Sequence, residues 1–336
     1  ASDVYKRQFM SCGARLPVYA LFAAAFFPAS GQNVVFALYL TGILVAILTG
    51  LVMKRSLLPG ESSGFVMELP PYHWPTLRGI LLRTWDRVRL FVNEAGRVII
   101  VMVVLLNLLN SIGSDGSFGN EDTDSSLLSE TARLVVPVFA PMGVAEDNWP
   151  AVVGIFSGIL AKEVVVGTLD NLYSAIAEDS QDRAEDSGFD VWDSLGDAAA
   201  SVPRNLGQVA DALLDPLGLG VVTDASAETL EVDNSVFGAM HARFDGQAGA
   251  FAFLLFVLLY FPCVATLGAI KRETGTGWAA FVAGWTTGVA YVTATVFYQV
   301  ATYSQHPVTS LAWVLVMLTL VVGSVVALRW WGVEQR

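Results

Sequence analysis

Residues 9–27 read FMSCGARLPVYALFAAAFF, a stretch that sets a cysteine, an arginine and a proline at the start of a strongly apolar run. Residues 260–274 read YFPCVATLGAIKRET and repeat the combination, with a proline beside a cysteine in an apolar run and then a basic pair. Polar groups within a membrane span cost free energy, so they indicate a functional site. Cys12 and Cys263 are the 2 cysteines of the chain.

The composition is typical of an integral membrane protein, because 54% of the residues are hydrophobic and only 15% are charged. Several apolar runs reach the roughly 20 residues that cross the hydrocarbon layer. The clearest are Asn33–Met53, Ala248–Ile270, Trp278–Tyr303 and Val308–Leu328. We therefore expect an all-α, polytopic membrane protein with one membrane region over residues 9–169 and a carboxy-terminal one over residues 248–336.

Other apolar segments are short or interrupted. Val98–Leu109 reaches span length only with the polar residues after it, and Pro150–Leu169 is long enough to span as one helix but carries Lys162 and Glu163 in its body. Thr131–Val144 contains two prolines, and Leu16–Pro28 is too short to span alone. These patterns predict half-helices and proline-broken helices, as transporters use at their binding sites.

The charge is concentrated in one segment. The net charge is −12, and residues 170–247 hold 16 acidic residues against 3 arginines. We interpret 170–247 as an acidic extramembrane insertion, either a solvated loop, which we favour, or a vestibule that attracts cations. Residues 1–8, ASDVYKRQ, differ in character from the apolar run beside them, and we interpret them as a non-native leader that replaces the true amino terminus.

Basic residues suggest the orientation. They crowd the connection between residues 54 and 97 and recur near Lys271 and at the carboxy terminus, so we expect all three places to face the cytoplasm. The side of the acidic insertion stays open, because it depends on whether Thr131–Val144 crosses the membrane. Within the first basic connection, residues 74–96 predict an amphipathic helix on the membrane surface.

The two cysteine segments predict a cation site. Pro17 lies four residues after Gly13, and Pro262 four after Leu258, so within a helix each proline would free that carbonyl from its hydrogen bond. Sulfur ligands beside free carbonyls suit a transition metal such as Fe²⁺ better than Na⁺ or Mg²⁺. The alternative is that both cysteines are small buried hydrophobic residues.

Glu163 is a third candidate. It could bind the ion or balance the charge of Arg15. Alternatively, Lys162 extends to the membrane surface from a span that ends there, and the pair has no role in binding.

Four blocks together resemble the membrane region of the ferrous iron transport protein B (FeoB) family, in the order of that family. They are MSCGARLPVYALF (10–22), LPPYHWPTLRGILLRTWDRVRLFVNEAG (69–96), DNWPAVVGIFSGILAKEVVVGTL (147–169) and YFPCVATLGAIKRETG (260–275). The resemblance implies a helical domain of Gate repeats that imports Fe²⁺ across the bacterial inner membrane. It places Cys12 and Cys263 on the iron path and gives Glu163 no definite role.

The resemblance also implies partners. In the family, a cytoplasmic GTPase domain precedes the membrane region and binds GTP and Mg²⁺, and small Feo proteins or a second copy are further possible partners. The chain has no G-x-x-x-x-G-K-[ST] motif, so we predict that it is the permease portion and not itself an enzyme, with no permanent cofactor and no nucleic-acid partner. Two alternatives remain, a permease for nucleosides or other small solutes, and a non-transporting membrane scaffold that binds through its acidic insertion.

Overall fold

The computed structural model describes residues 9–57, 74, 76–113, 117–119, 126–160, 162–178 and 234–334. Their secondary structure is helical, apart from isolated β-bridges such as Val144 to Phe244, which confirms the all-α prediction for these residues. The helices are α1 (Leu16–Phe26), α2 (Gly31–Ser56), α3 (Leu77–Ser111), α4 (Leu127–Phe139), α5 (Trp149–Leu160), α6 (Val165–Glu178), α7 (Asn234–Arg243), α8 (Gly246–Leu259), α9 (Val264–Thr274), α10 (Thr276–Ala301) and α11 (Pro307–Glu334). The predicted leader at 1–8 and residues 179–233 of the acidic segment lie outside the described residues.

Within the described residues, three helices are long and apolar enough to cross a membrane, namely Gly31–Ser56, Thr276–Ala301 and Pro307–Trp330. They confirm three of the four clearest predicted spans. The fourth, Ala248–Ile270, was wrongly predicted as continuous, because α8 ends at Leu259 and α9 begins only at Val264. Pro262 lies in the interruption, and its missing N–H explains why the helix cannot continue.

The core of the molecule is α8, although its 14 residues are too few to span the bilayer alone. Every residue from Ala252 to Tyr260 is buried, and α8 contacts α1, α2 and α10. Phe22 of α1 stacks on Phe253 at 5.1 Å between ring centroids, and Phe244 meets both rings edge-on. A helix that is apolar on every side is expected only where protein surrounds it, so the longer helices form the outer layer.

Two further interruptions shape the core. Pro137 lies inside α4, whose end at Phe139 runs into a 3₁₀ turn, Ala140–Met142. The prediction of one segment over Pro150–Leu169 was wrong, because α5 and α6 are separated by a 3₁₀ turn at Lys162–Val164. No proline or glycine marks this second break, and Lys162, at its start, lies over the ring of Tyr260.

Helix α3 is 35 residues long, about 52 Å at 1.5 Å per residue. The sequence predicted a surface helix over 74–96 and a separate apolar segment from Val98, and the structure joins them into one helix. Thr76 caps its start by accepting a hydrogen bond from the Gly79 N–H at 3.3 Å. The amphipathic half carries exposed apolar side chains such as Leu77 and Trp85 beside its arginines, and α3 contacts α4 and α9.

The described ends of the acidic segment 170–247 are part of the helical body. Helices α6 and α7 contact each other and bury Leu172, Tyr173, Val236 and Met240. Buried Asn148 connects them, because its Nδ2 donates to the Arg243 carbonyl at 2.9 Å and its Oδ1 accepts from the Tyr173 hydroxyl at 2.7 Å. The two chain ends that flank residues 179–233 are therefore held together.

Candidate functional site

Cys12 and Cys263 occupy similar positions in the fold. Cys12 is the extended residue before the 3₁₀ turn Gly13–Arg15, and Cys263 is the extended residue before α9. Both thiols are free, Cys12 is exposed, and Cys263 is half-buried with its Sγ 3.2 Å from the Thr266 Oγ1. Neither sulfur caps the turn or helix that comes after it, so both remain available to other groups.

Three buried polar side chains lie in the segments that adjoin the two cysteines. The turn Gly13–Arg15 contacts the turn Lys162–Val164, and Tyr260 stands beside them at the end of α8. Arg15, Lys162 and Tyr260 are only 3%, 4% and 1% exposed. The Lys162 Nζ lies 4.6 Å from the centroid of the Tyr260 ring.

Cys12 directly precedes the turn that contacts the Lys162 turn, and Cys263 lies three residues after Tyr260. We call Cys12, Arg15, Lys162, Tyr260 and Cys263 the thiol cluster. It unites residues that are up to 251 positions apart, from the first cysteine block to the second. The sequence-predicted residues Cys12, Arg15, Lys162 and Cys263 are thus brought to one place.

The thiol cluster contains polar atoms without partners. Among the residues that the structure describes, the Arg15 Nε, the Lys162 Nζ and the Tyr260 hydroxyl are buried and make no hydrogen bond. Arg15 keeps one contact, a hydrogen bond from its Nη1 to the Met10 carbonyl at 3.4 Å. Because buried polar groups are nearly always paired, three unpaired donors in one place indicate that an acceptor from outside these side chains, such as water, completes their hydrogen bonds.

The prolines of the two cysteine segments behave differently. Pro262 lies in the interruption between α8 and α9, and because it has no N–H it cannot donate the usual helical hydrogen bond to the Leu258 carbonyl. The prediction for Pro17 was wrong, because Pro17 lies in the first turn of α1 and the Gly13 carbonyl accepts a hydrogen bond from the Leu16 N–H. Proline is well tolerated in a first turn, where its N–H would have no helical acceptor.

Glu163 lies in the same 3₁₀ turn as Lys162, and its side chain is outside the described structure. Its predicted role as an ion ligand or as the counter-charge of Arg15 therefore stays a prediction. Within the described residues, no group of three or more His, Cys, Asp or Glu side chains is assembled for a metal.

Two residues of the site were missed from the sequence. Tyr260 is the first residue of the segment 260–274, and nothing in the sequence predicts that its ring lies under Lys162. Gly158 lies against the Tyr260 hydroxyl, in a position where any side chain would overlap it. Only the contact between α5 and the end of α8 reveals either role.

A second set of carbonyls, at the end of α4, is paired with side chains of α10. Near the prolines at the end of α4, the Val138 carbonyl accepts from the Tyr291 hydroxyl and the Pro141 carbonyl from the Gln299 Nε2, each at 2.8 Å. These α10 side chains replace the hydrogen bonds that the broken helix lacks. The break near Cys263 is therefore the better candidate for a site with open carbonyls.

Comparison with known proteins agrees with the arrangement of the blocks. The family model described as "Ferrous iron transport protein B C terminus" matches residues 35–87, and the Gate model, described as "Nucleoside recognition", matches residues 92–277. The chain belongs to the ferrous iron transport protein B family. Lys162 and Cys263 fall within the Gate match, and Cys12 precedes both matches.

Curated FeoB relatives align with nearly the whole chain. The Fe(2+) transporter FeoB of Legionella pneumophila is 47% identical over 313 residues, which are 92% of this chain and 40% of the relative. The Fe(2+) transporter FeoB of Salmonella typhimurium is 44% identical over 327 residues, 95% of this chain and again 40% of the relative. The chain thus spans about two fifths of the length of these relatives, and no solved structure matches it.

Proposed function

We propose that this chain is the permease portion of a ferrous iron importer in the bacterial inner membrane, with the thiol cluster on the path of Fe²⁺. The observation that carries the proposal is that the turn after Cys12 contacts the turn of Lys162, whose Nζ lies over the ring of Tyr260, three residues before Cys263. The curated relatives are named Fe(2+) transporters, which supports the choice of ion.

The chemistry of the site suits passage better than storage. Two sulfurs and the Leu258 carbonyl offer Fe²⁺ a few ligands of mixed character, and sulfur favours a transition metal over Mg²⁺ or Ca²⁺. A path must bind its ion tightly enough to admit it and weakly enough to release it. A small ligand set at an interrupted helix meets both conditions, and Glu163, in the neighbouring turn, is a proposed additional ligand.

Energy coupling would reach the site through α3. In this proposal, a GTPase domain on the cytoplasmic side moves the basic half of α3, and the carboxy terminus faces the same side. Because α3 is one rigid element that contacts α9, its movement would displace the helix that begins directly after Cys263. GTP and Mg²⁺ would act only through that domain, and small Feo proteins and a second copy remain proposed partners.

The test is uptake by a chimera in which this chain replaces the matching part of the Salmonella typhimurium transporter. Anaerobic ⁵⁵Fe²⁺ uptake would be measured in cells without another ferrous transporter, at matched expression. We expect uptake by the chimera and its loss, by about tenfold or more, in Cys12→Ser and Cys263→Ser, because each change removes a sulfur ligand. Ala327→Ser on the exposed side of α11 is the control for introducing a hydroxyl. Undiminished uptake by both cysteine variants would reject the thiol path.

A nucleoside permease is the second candidate, because the Gate match carries the description "Nucleoside recognition". In that case the two cysteines would only fill space. Thermal stabilisation of the purified chain by nucleosides, with no response to Fe²⁺ or Co²⁺, would favour this function over iron transport.

A further inference from the structure

Lys162 is the most unusual side chain of the thiol cluster. It is 4% exposed, and its Nζ has no hydrogen-bond partner among the described residues. A buried charge normally has a partner of opposite charge. Arg15, in the turn that contacts the turn of Lys162, carries a charge of the same sign.

The groups that could attract the Lys162 ammonium are the ones that could also bind a metal ion. The Tyr260 ring presents its negative face to the Nζ at 4.6 Å, a typical cation–π distance. The sulfurs of Cys12, directly before the turn that contacts the Lys162 turn, and of Cys263, three residues after Tyr260, are the other electron-rich groups of the thiol cluster. An ammonium and an entering divalent cation would therefore compete for one environment.

The position of Lys162 in the chain allows it to leave that environment. It begins the 3₁₀ turn Lys162–Val164 between α5 and α6, so neither helix fixes its backbone on both sides. Its side chain has four methylene groups and can reach several positions. By contrast, Tyr260 is held in place, since its hydroxyl lies against Gly158 and its ring packs on Phe256 at 5.3 Å.

We propose that Lys162 is a tethered cation that fills the thiol cluster in the absence of metal, and that a divalent cation must displace its ammonium group in order to bind between Cys12 and Cys263. This inference rests on the proposed function, because it assumes that the thiols bind the transported ion. Lys162 then sets a threshold for entry, since a monovalent ion gains too little from the sulfurs to displace it. The empty path also stays closed to other cations.

The experiment measures Co²⁺ binding to the full 336-residue chain in lipid nanodiscs under reducing conditions. Co²⁺ is the probe, because sulfur-to-cobalt charge-transfer absorption reports thiolate ligands directly. Lys162→Met removes the charge and keeps the length of the side chain, whereas Lys162→Arg keeps the charge. Lys271→Met is the matched control, since Lys271 is an exposed lysine in the last turn of α9.

We expect Lys162→Met to tighten Co²⁺ binding by about 5-fold to 150-fold, the usual range of coupling between competing groups. Lys162→Arg should bind Co²⁺ no more tightly than the unchanged chain, and Lys271→Met should match it within about twofold. Suppose that Lys162→Met binds Co²⁺ equally or more weakly, while Cys12→Ser and Cys263→Ser still lose the sulfur absorption. That result would overturn the tethered cation but leave the thiol path standing. Persistent absorption in both cysteine variants, or none in any protein, would instead overturn the thiol path and the tethered cation with it.

A second measurement uses the unchanged chain and so does not depend on the folding of a variant. The reaction of Lys162 with a small membrane-permeant amine reagent is followed by mass spectrometry with and without Co²⁺. Displacement predicts that Co²⁺ accelerates labelling of Lys162 by about 5-fold or more and leaves labelling of Lys271 unchanged. Equal or slower labelling of Lys162 in the presence of Co²⁺ would overturn the proposal.

Discussion

Gly158 shows how closely the thiol cluster is fitted. A methyl group at this position would overlap the Tyr260 hydroxyl and lie 2.7 Å from the Val165 Cγ2. We expect Gly158→Ala to destabilise the protein by about 1–3 kcal/mol, because overpacking a fitted core displaces its neighbours. The measurement is the melting temperature in detergent, followed by size-exclusion chromatography of heated samples.

Gly167→Ala is the matched control for this prediction. It lies in α6 with no atom close to the added methyl group, so it should leave the melting temperature unchanged or raise it slightly. Equal melting temperatures for the two variants would mean that Tyr260 can move away from α5 and that the thiol cluster is not rigidly packed.

Tyr173 provides a second test at a single side chain. Its hydroxyl donates to the Asn148 Oδ1 at 2.7 Å, and both residues are completely buried. Tyr173→Phe removes only the hydroxyl and leaves the Asn148 oxygen unpaired, so we expect a loss of about 1–3 kcal/mol. Tyr303→Phe, at a position that is 52% exposed, should have almost no effect on the same melting curve. A similar loss in both variants would contradict the role of the buried pair.

The break at the end of α4 depends on α10. Gln299→Leu would leave the buried Pro141 carbonyl without its 2.8 Å hydrogen bond, so we expect a loss of about 1–3 kcal/mol in stability. Gln305→Leu, in the exposed turn after α10, is the control. Unfolding in denaturant, monitored by tryptophan fluorescence, would compare them, and identical midpoints would show that water replaces the glutamine.

The predictions at Pro262, at Pro17 and at Lys162–Val164 differ in how far the sequence could support them. Pro262 could be predicted to end a helix, because the missing N–H is a local property of the residue. Pro17 was misread, because the same residue type also begins helices, and only its neighbours decide between the two. The turn at Lys162–Val164 could not be predicted, since it depends on contacts with residues far away in the chain, Arg15 and Tyr260. The sequence prediction divided α3 into two segments for a related reason, because a change from amphipathic to apolar sequence does not itself end a helix.

The thiol cluster can also be tested at the scale of the whole molecule, because Cys12 and Cys263 lie 251 positions apart in the chain. We expect a short bifunctional maleimide to join them, because both thiols are at least partly accessible and their segments meet at Lys162 and Tyr260. A protease site introduced at Ser201 would separate the chain into two fragments that remain joined on a denaturing gel only after cross-linking. A variant with Cys263→Ser and Ser324→Cys, which moves one thiol to the exposed surface of α11, should give separate fragments. Fragments that join in this control variant but not in the protein with Cys12 and Cys263 would contradict the arrangement.

The shortness of α8 has an electrical consequence. Its 14 residues cover about 21 Å of a hydrocarbon layer of about 30 Å, and the chain is interrupted at Tyr260–Cys263 directly beyond its end. Backbone groups at such an interruption are stable inside a membrane only where protein or water reaches them. Water at that depth would compress the voltage drop into a thinner insulating layer around α8. A doubly charged ion that crosses this layer gains about 4.6 kcal/mol per 100 mV of membrane potential, so inward movement of Fe²⁺ would be driven by the cell's resting voltage as well as by its concentration gradient.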